Sequence, residues 1–204
     1  MYSCLYTTLI CLITTIDTKF TMAGEYNRAS GKTKFIIQKL LLKGLKEKRM
    51  ILLMRKQTNQ LKDSLVKEIA QVIEDFHLTQ YFDFNRTELR FTCKINGTEF
   101  KCLGLDEPEK IKGFVDISDV FMDEITAFTE EDVELIDGTL RSPKYKLPLQ
   151  MYFAFNPISK ANFVYRYFNF DTGITPPNTF ILKSTYLDNP FLGENVALRY
   201  EALK

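Results

Sequence analysis

The sequence predicts a three-layer α/β fold, with a mostly parallel central sheet flanked by helices. Three observations point to it. The stretch Asn27-Arg28-Ala29-Ser30-Gly31-Lys32-Thr33 lies between a short apolar run, Phe20 to Ala23, and a helical pattern starting at Phe35, so it occupies a turn from strand to helix. Met50-Ile51-Leu52-Leu53-Met54 and Met151-Tyr152-Phe153-Ala154-Phe155 are unbroken apolar runs of strand length. Runs without polar alternation suit strands buried on both faces, as in parallel sheets. Amphipathic stretches of helical period separate such runs, and this alternation builds βαβ units. A phosphate-binding turn after the first strand of such a sheet would be the arrangement of a P-loop NTPase fold.

In that turn, backbone N–H groups at the helix N-terminus, together with its partial positive charge, form an anion site. Lys32 can reach the β and γ phosphates of a nucleotide there, and the Thr33 hydroxyl can hold Mg²⁺. The usual pattern G-x-x-x-x-G-K-[ST] asks for glycine where this chain has Tyr26, and Gly24 is the nearest glycine upstream. Tyrosine adopts a positive φ only at a cost, so the start of the loop differs or is strained. Taken alone, the stretch also allows a chance Gly-Lys-Thr at a helix start.

Composition narrows the class. A chain of 204 residues holds one substantial core, and 45% hydrophobic with 26% charged residues reads as globular. A net charge of +1 excludes a global field for nucleic acid or membrane, so any DNA contact is local. Cysteines 4, 12, 93 and 102 have neither disulfide-scaffold density nor zinc spacing, and are read as reduced in a cytoplasmic protein. Residues 2–16 are uncharged and largely apolar. They lack the basic start of a signal peptide, are broken by threonines and are too short to span a bilayer, so a signal peptide is the minority reading beside an extra strand or non-native sequence ahead of a start at Met22.

After the loop, Ile36, Ile37, Leu40, Leu41 and Leu45 recur at helical spacing, with Lys34, Lys39 and Lys43 on the other side and Gly44 ending the helix. Arg55-Lys56 closes the Met50 to Met54 strand, as a phosphate or DNA contact or as a solvated strand end. A second amphipathic helix is expected over about Gln60 to Phe76, and His77 at its end has no catalytic role. Residues 89–104 read as a β-hairpin around Asn96-Gly97. A two-residue loop there sets Ile95 against Thr98 and Cys93 against Phe100, with Phe91, Cys93, Ile95, Phe100 and Cys102 on the buried face. Asp106 to Lys112 reads as a helical connector.

The next apolar run, Phe114 to Met122, ends in Asp123-Glu124. Adjacent acids closing a buried strand are a pattern in which Asp123 binds the Mg²⁺ water shell and Glu124 polarises the attacking water. The alternative is a pair of carboxylates capping the following element. Thr129 reads as an N-cap with Glu130, Glu131 and Asp132 in the first turn of a helix running to about Leu140. Asn156, closing the Met151 to Phe155 strand, can hydrogen-bond the attacking water or γ-phosphate, or simply start a turn with Pro157. A helix near Lys160 to Phe168, a strand Thr179 to Ser184, a turn at Asp188-Asn189-Pro190 and a last helix from about Gly193 complete the chain.

In this order the chain resembles the ATPase region of the large terminase subunit of tailed bacteriophages, the motor that packages DNA into the capsid. The resemblance rests on Arg28 to Thr33; Met54-Arg55-Lys56 with Leu61-Lys62-Asp63-Ser64; Gly104-Leu105-Asp106-Glu107-Pro108-Glu109-Lys110; Asp119 to Glu124 with Phe128 to Asp132; Phe153-Ala154-Phe155-Asn156-Pro157; and Thr185 to Leu192. It implies ATP and Mg²⁺ as ligands, with the loop Asn27, Arg28, Ala29, Ser30, Gly31, Lys32 and Thr33 binding nucleotide and Thr33 and Asp123 holding the metal. It also implies Glu124 as the catalytic carboxylate, Arg28 acting on the γ-phosphate, and Asn156 in a coupling motif. The implied partners are double-stranded DNA, the small terminase subunit and the capsid portal, in a homo-oligomeric ring within the bacterial cytoplasm and without membrane. Residues 1–18 read as an extension and 19–204 as a P-loop ATPase domain cut short at its C-terminus. No nuclease domain or activity is expected, because the chain stops before the family's nuclease. A decayed, non-hydrolysing prophage fragment and a helicase-like P-loop NTPase are the alternatives.

Overall fold

A computed structural model describes residues 18–23 (backbone only), 31–106, 111, 113–156, 159–184, 188, 189, 193, 195 and 198. The elements are β1 (Thr18–Ala23), α1 (Lys32–Lys46), β2 (Met50–Arg55), α2 (Leu65–Asp75), β3 (Phe82–Asn85), β4 (Arg90–Cys93), β5 (Glu99–Gly104), β6 (Asp119–Asp123), α3 (Glu130–Asp137), β7 (Gln150–Phe155), α4 (Phe163–Tyr167) and β8 (Thr179–Lys183). Short 3₁₀ turns at Thr58–Gln60, Thr79–Tyr81 and Ile125–Ala127 link them.

Among the described residues eight strands form one sheet in the order β3-β4-β5-β2-β6-β7-β1-β8. Only the β3–β4 and β4–β5 pairs are antiparallel; every other neighbour runs parallel. The apolar runs take the centre because each loses water on two sides at once. Every residue of β6 and β7 is buried. Alternate side chains feed two cores. On one face Ile51, Leu53, Phe121, Tyr152 and Ala154 pack under α1 and α2. On the other, Leu52, Met54, Val120, Met122, Phe153 and Phe155 pack with Val133 and Ile136 of α3 and Val164 of α4. The result is the predicted three-layer P-loop NTPase fold.

Several expected details differ. The hairpin pairs Phe91 with Phe100 and Thr92 with Glu99, so its loop is longer than two residues. Gly97 supplies the positive φ of 75°, and its N–H donates to the Cys93 carbonyl at 2.8 Å. The longer loop puts Ile95 in solvent at 59% exposure instead of in the core. Its far side is anchored instead: Asn96 Nδ2 donates to the Gly44 carbonyl at 2.7 Å and Thr98 Oγ1 to the same carbonyl at 2.6 Å. Gly44 therefore does not end α1. It lies inside the helix, where a Cβ would stand 2.8 Å from Thr98 Cγ2 and 3.2 Å from Phe100 Cζ, so glycine lets helix and sheet meet.

Lys43, expected on the solvated side of α1, is buried. Its Nζ donates to Asp119 Oδ1 at 2.6 Å, Gln150 Oε1 at 2.8 Å and the Pro148 carbonyl at 2.8 Å. Arg49, fully buried, donates to Asp119 Oδ2 at 3.3 Å and the Leu147 carbonyl at 2.6 Å. These groups pin the C-terminal half of α1 to the starts of β6 and β7. Helix α2 begins at Leu65, not Gln60, because residues 58–60 form a 3₁₀ turn held elsewhere. The run after Gly113 becomes strand only at Asp119, and α4 is shorter than its pattern, Phe163–Tyr167. Of the expected Asp106 to Lys112 connector, residues 107–110 and 112 lie outside the described residues, as does most of the last helix. No described helix is long and apolar enough to cross a membrane.

Candidate active site

The parallel strands all end on one rim, and the polar residues that matter follow those ends. Gly31 caps α1 with φ 74° and ψ 14°, a left-handed conformation that costs glycine little. Its carbonyl accepts the Phe35 N–H at 2.9 Å, starting the helix. Lys32 and Thr33 thus fall in the first turn of α1. The N–H groups of that turn lack helical acceptors and carry the positive end of the dipole.

Two strands away from β1, β6 delivers Asp123, 3% exposed, and the chain turns sharply at Glu124. Glu124 sits at φ 56° and ψ 51°, a region that β-carbon residues populate sparsely and that collects at functional sites. The turn throws its carboxylate outward to 58% exposure, away from the buried strand that carries it. The Thr33 hydroxyl donates to Asp123 Oδ1 at 3.0 Å, closing the gap between α1 and β6. The Lys32 ammonium donates to Asn156 Oδ1, at the end of β7, at 3.1 Å. Burial holds Lys32 below its ordinary lysine pKa, an effect Asp123 partly offsets. Residues from three elements, 90 and 124 positions apart in sequence, therefore meet at one edge.

Arg55, read from sequence as a phosphate or DNA contact or as a solvated strand end, is only 18% exposed and bonds Asp123. Register pairs Met54 with Met122, so the next residues, Arg55 and Asp123, lie side by side. Arg55 Nε and Nη2 donate to Asp123 Oδ2 at 3.0 and 2.6 Å, and Nη2 stands 3.4 Å from Glu124 Oε1. Lys56 turns the other way, to Asp132 Oδ2 at 2.6 Å. Asp132 also completes the capping box of α3 with Thr129, so a residue expected only to suit the dipole joins α3 to β2. Beside these groups opens a cavity of about 200 Å³ lined by Arg55, Lys56, Gln57, Gln60, Asp123, Glu124 and Ala127. The 3₁₀ turn after Gln57 is held by Asp106, whose carboxylate accepts the Thr58 N–H at 3.3 Å. Gly104 permits that approach, since a Cβ there would overlap Thr58.

The donor set fits magnesium. A threonine hydroxyl and an aspartate carboxylate 3.0 Å apart are hard oxygen ligands. Two such ligands suit a cation that keeps much of its water and takes few protein ligands. Asn27, Arg28, Ala29 and Ser30 lie outside the described residues, as does Tyr26. The part played by Arg55, Gln57 and Gln60 escaped the sequence reading. The signal for Arg55 was its position at the end of a buried strand, and only the strand order says that its neighbour carries the acids.

Known proteins share this fold. The family described as phage terminase large subunit matches residues 18–204. The chain is 30% identical over 201 residues to the PBSX phage terminase large subunit of Bacillus subtilis (strain 168), covering 90% of this chain and 45% of that protein. It is 26% identical over 196 residues to the large terminase subunit of Bacillus phage SPP1, covering 91% of this chain and 45% of that protein. The chain thus spans a little under half the length of both relatives. Among solved structures, the large terminase of a thermophilic bacteriophage superposes with a TM-score of 0.74 at 16% identity, over 93% of this chain and 46% of that one. That terminase has also been solved in complex with ATP-gamma-S.

Proposed function

The chain belongs to the phage terminase large-subunit family, and on that premise we propose that it is the ATP-binding and ATP-hydrolysing module of a DNA-packaging motor. The observation that carries this reading is the contact of the Thr33 hydroxyl with the Asp123 carboxylate at 3.0 Å. It brings the loop-and-helix half of a nucleotide site against the acidic half, with Lys32 and Glu124 on either side. The ATP-gamma-S complex of the thermophilic-phage terminase supports the same ligand class here.

In this reading the first turn of α1 receives the β and γ phosphates, and the Lys32 ammonium neutralises them. Thr33 and Asp123 would hold Mg²⁺, which when bound would neutralise phosphate charge as it builds during transfer. Glu124, turned out of the strand and facing the cavity, orients the attacking water and accepts its proton. Arg55 keeps the Asp123 carboxylate fixed in orientation beneath it. Phosphate competes with Asn156 for Lys32, so nucleotide binding frees the amide at the end of β7, giving that strand a way to register the nucleotide state. Arg28 adds a cation at the γ-phosphate, as the family resemblance implies. Double-stranded DNA is the polymer moved, and the small terminase subunit, the portal and further copies in a ring are the partners of the motor.

Steady-state hydrolysis of Mg²⁺-ATP, with and without DNA, tests the proposal. The protein is expected to turn over ATP slowly. Glu124→Gln should keep ATP binding and lose turnover by roughly 10²-fold or more, a size usual for a lost general base, while Lys32→Ala should lose binding. Absence of ATP binding, or a Glu124→Gln variant as active as wild type, would refute it.

A further inference from the structure

We propose that Ser184 and Asn189, just past β8, belong to the nucleoside-binding part of the same site and contact the α-phosphate and ribose end of the nucleotide. The inference rests on the ATP-site reading above and extends it to residues that reading does not use. The strand order sets the direction. Glu124 and Asp123 stand at the end of β6, Asn156 at the end of β7, and the loop bearing Lys32 follows β1. The reacting end of the triphosphate belongs with the acids, so the chain of phosphates runs from β6 across β7 to β1. Its other end points onward to the next strand, β8. From β6 to β8 is three strand spacings, roughly 14 Å.

Two independent observations at the end of β8 point to a ligand. Ser184 is 8% exposed, and its Oγ is buried with no hydrogen-bond partner among the described residues. A buried hydroxyl left unpaired is costly and rare. Strand alternation gives its direction: Phe180 and Leu182 pack into the core beneath α1, whereas Ile181 packs into the opposite one. Ser184, two residues past Leu182, continues on the α1 face. Because Lys183 pairs with Ala23, Ser184 lies one step beyond the end of β1. The second observation is that Asn189 Nδ2 lies 3.9 Å from where a Cβ on Gly31 would stand, so Asn189 lies beside the start of α1. A hydroxyl and a carboxamide supply the neutral donors and acceptors that a ribose or an α-phosphate oxygen takes. Asp188, next to Asn189, would repel a triphosphate but suits the vicinal hydroxyls of a ribose.

Calorimetric titration with ATP, ADP and inorganic tripolyphosphate tests this. The wild type is expected to bind ATP more tightly than tripolyphosphate. The double variant Ser184→Ala, Asn189→Ala should lose about tenfold in affinity for ATP and ADP, the size of one or two lost hydrogen bonds, with tripolyphosphate affinity unchanged. Lys32→Ala should weaken all three. Where the double variant unfolds, Asn189→Ala alone, at a partly buried position, must show the same selective loss. Unchanged ATP affinity, or equal losses for ATP and tripolyphosphate, would overturn the inference while leaving the ATP site intact. A wild type that binds neither ligand would overturn both.

Discussion

Replacing Arg55 by methionine should destabilise the metal-free protein and make its stability more dependent on Mg²⁺. Asp123 is almost wholly buried and, among the described residues, accepts from the Thr33 hydroxyl and the Arg55 guanidinium. Arg55 contributes two charge-assisted hydrogen bonds to one oxygen, and hydrogen bonds to charged groups are worth about 1.5 to 3 kcal/mol. Methionine keeps most of the volume of the stem, so packing changes little, but it leaves a buried carboxylate with a single hydroxyl donor. The expected loss is about 2 to 3 kcal/mol, a large share of the roughly 5 to 15 kcal/mol that holds most domains together. A divalent cation at Thr33 and Asp123 supplies the missing positive charge. The loss measured by urea unfolding with ADP and chelator should therefore shrink below about 1 kcal/mol with ADP and saturating Mg²⁺. An equal loss in both conditions would show that the metal does not sit at Asp123, and no loss in either would show that the Arg55 pair carries no stability.

Further expectations follow from other parts of the structure. Asp119 is the shared carboxylate of two buried cations, Lys43 and Arg49, so Asp119→Ala leaves Lys43 with the neutral acceptors Gln150 and Pro148 and Arg49 with Glu47 and two carbonyls, and should cost about 3 kcal/mol; a loss under about 1 kcal/mol in urea unfolding would contradict this. Burial, with the like charge of Lys43 adding to it and Asp119 opposing it, pulls Lys39 from 10.5 down to about 8. Between those values the unfolded chain binds more protons than the folded one, so the stability of wild type relative to Lys39→Gln should rise from pH 8 to pH 10.5. A flat difference across that window would refute it. Gly44→Val should destabilise by more than the helix propensity difference, since a side chain there meets Thr98 and Phe100; a neutral outcome in thermal melting would show that α1 can move away.

The fold was legible because its core strands are apolar on both faces and its helices are not. Met50 to Met54 and Met151 to Phe155 could be nothing other than interior elements of useful length. The acids of the site were legible for the same reason, since Asp123 and Glu124 interrupt an apolar run at its end. What stayed hidden depends on which elements become neighbours. Lys43 has the spacing of an exposed helical lysine, and nothing local says that Asp119, 76 positions on, lies beneath it. Arg55 and Lys56 look like a pair, yet one faces β6 and the other α3. The hairpin turn failed for a related reason. Asn-Gly favours a two-residue loop locally, but tertiary bonds from Asn96 and Thr98 to the end of α1 select the wider one.

The central claim is that the first turn of α1 and the end of β6 enclose one triphosphate. A structure of the protein with Mg²⁺ and a non-hydrolysable ATP analogue tests it most directly. The account predicts the metal between Thr33 Oγ1 and Asp123, Lys32 turned from Asn156 onto the phosphates, and the γ-phosphate facing Glu124. A nucleotide bound elsewhere, or Lys32 still bonded to Asn156 with the phosphates in place, would contradict it.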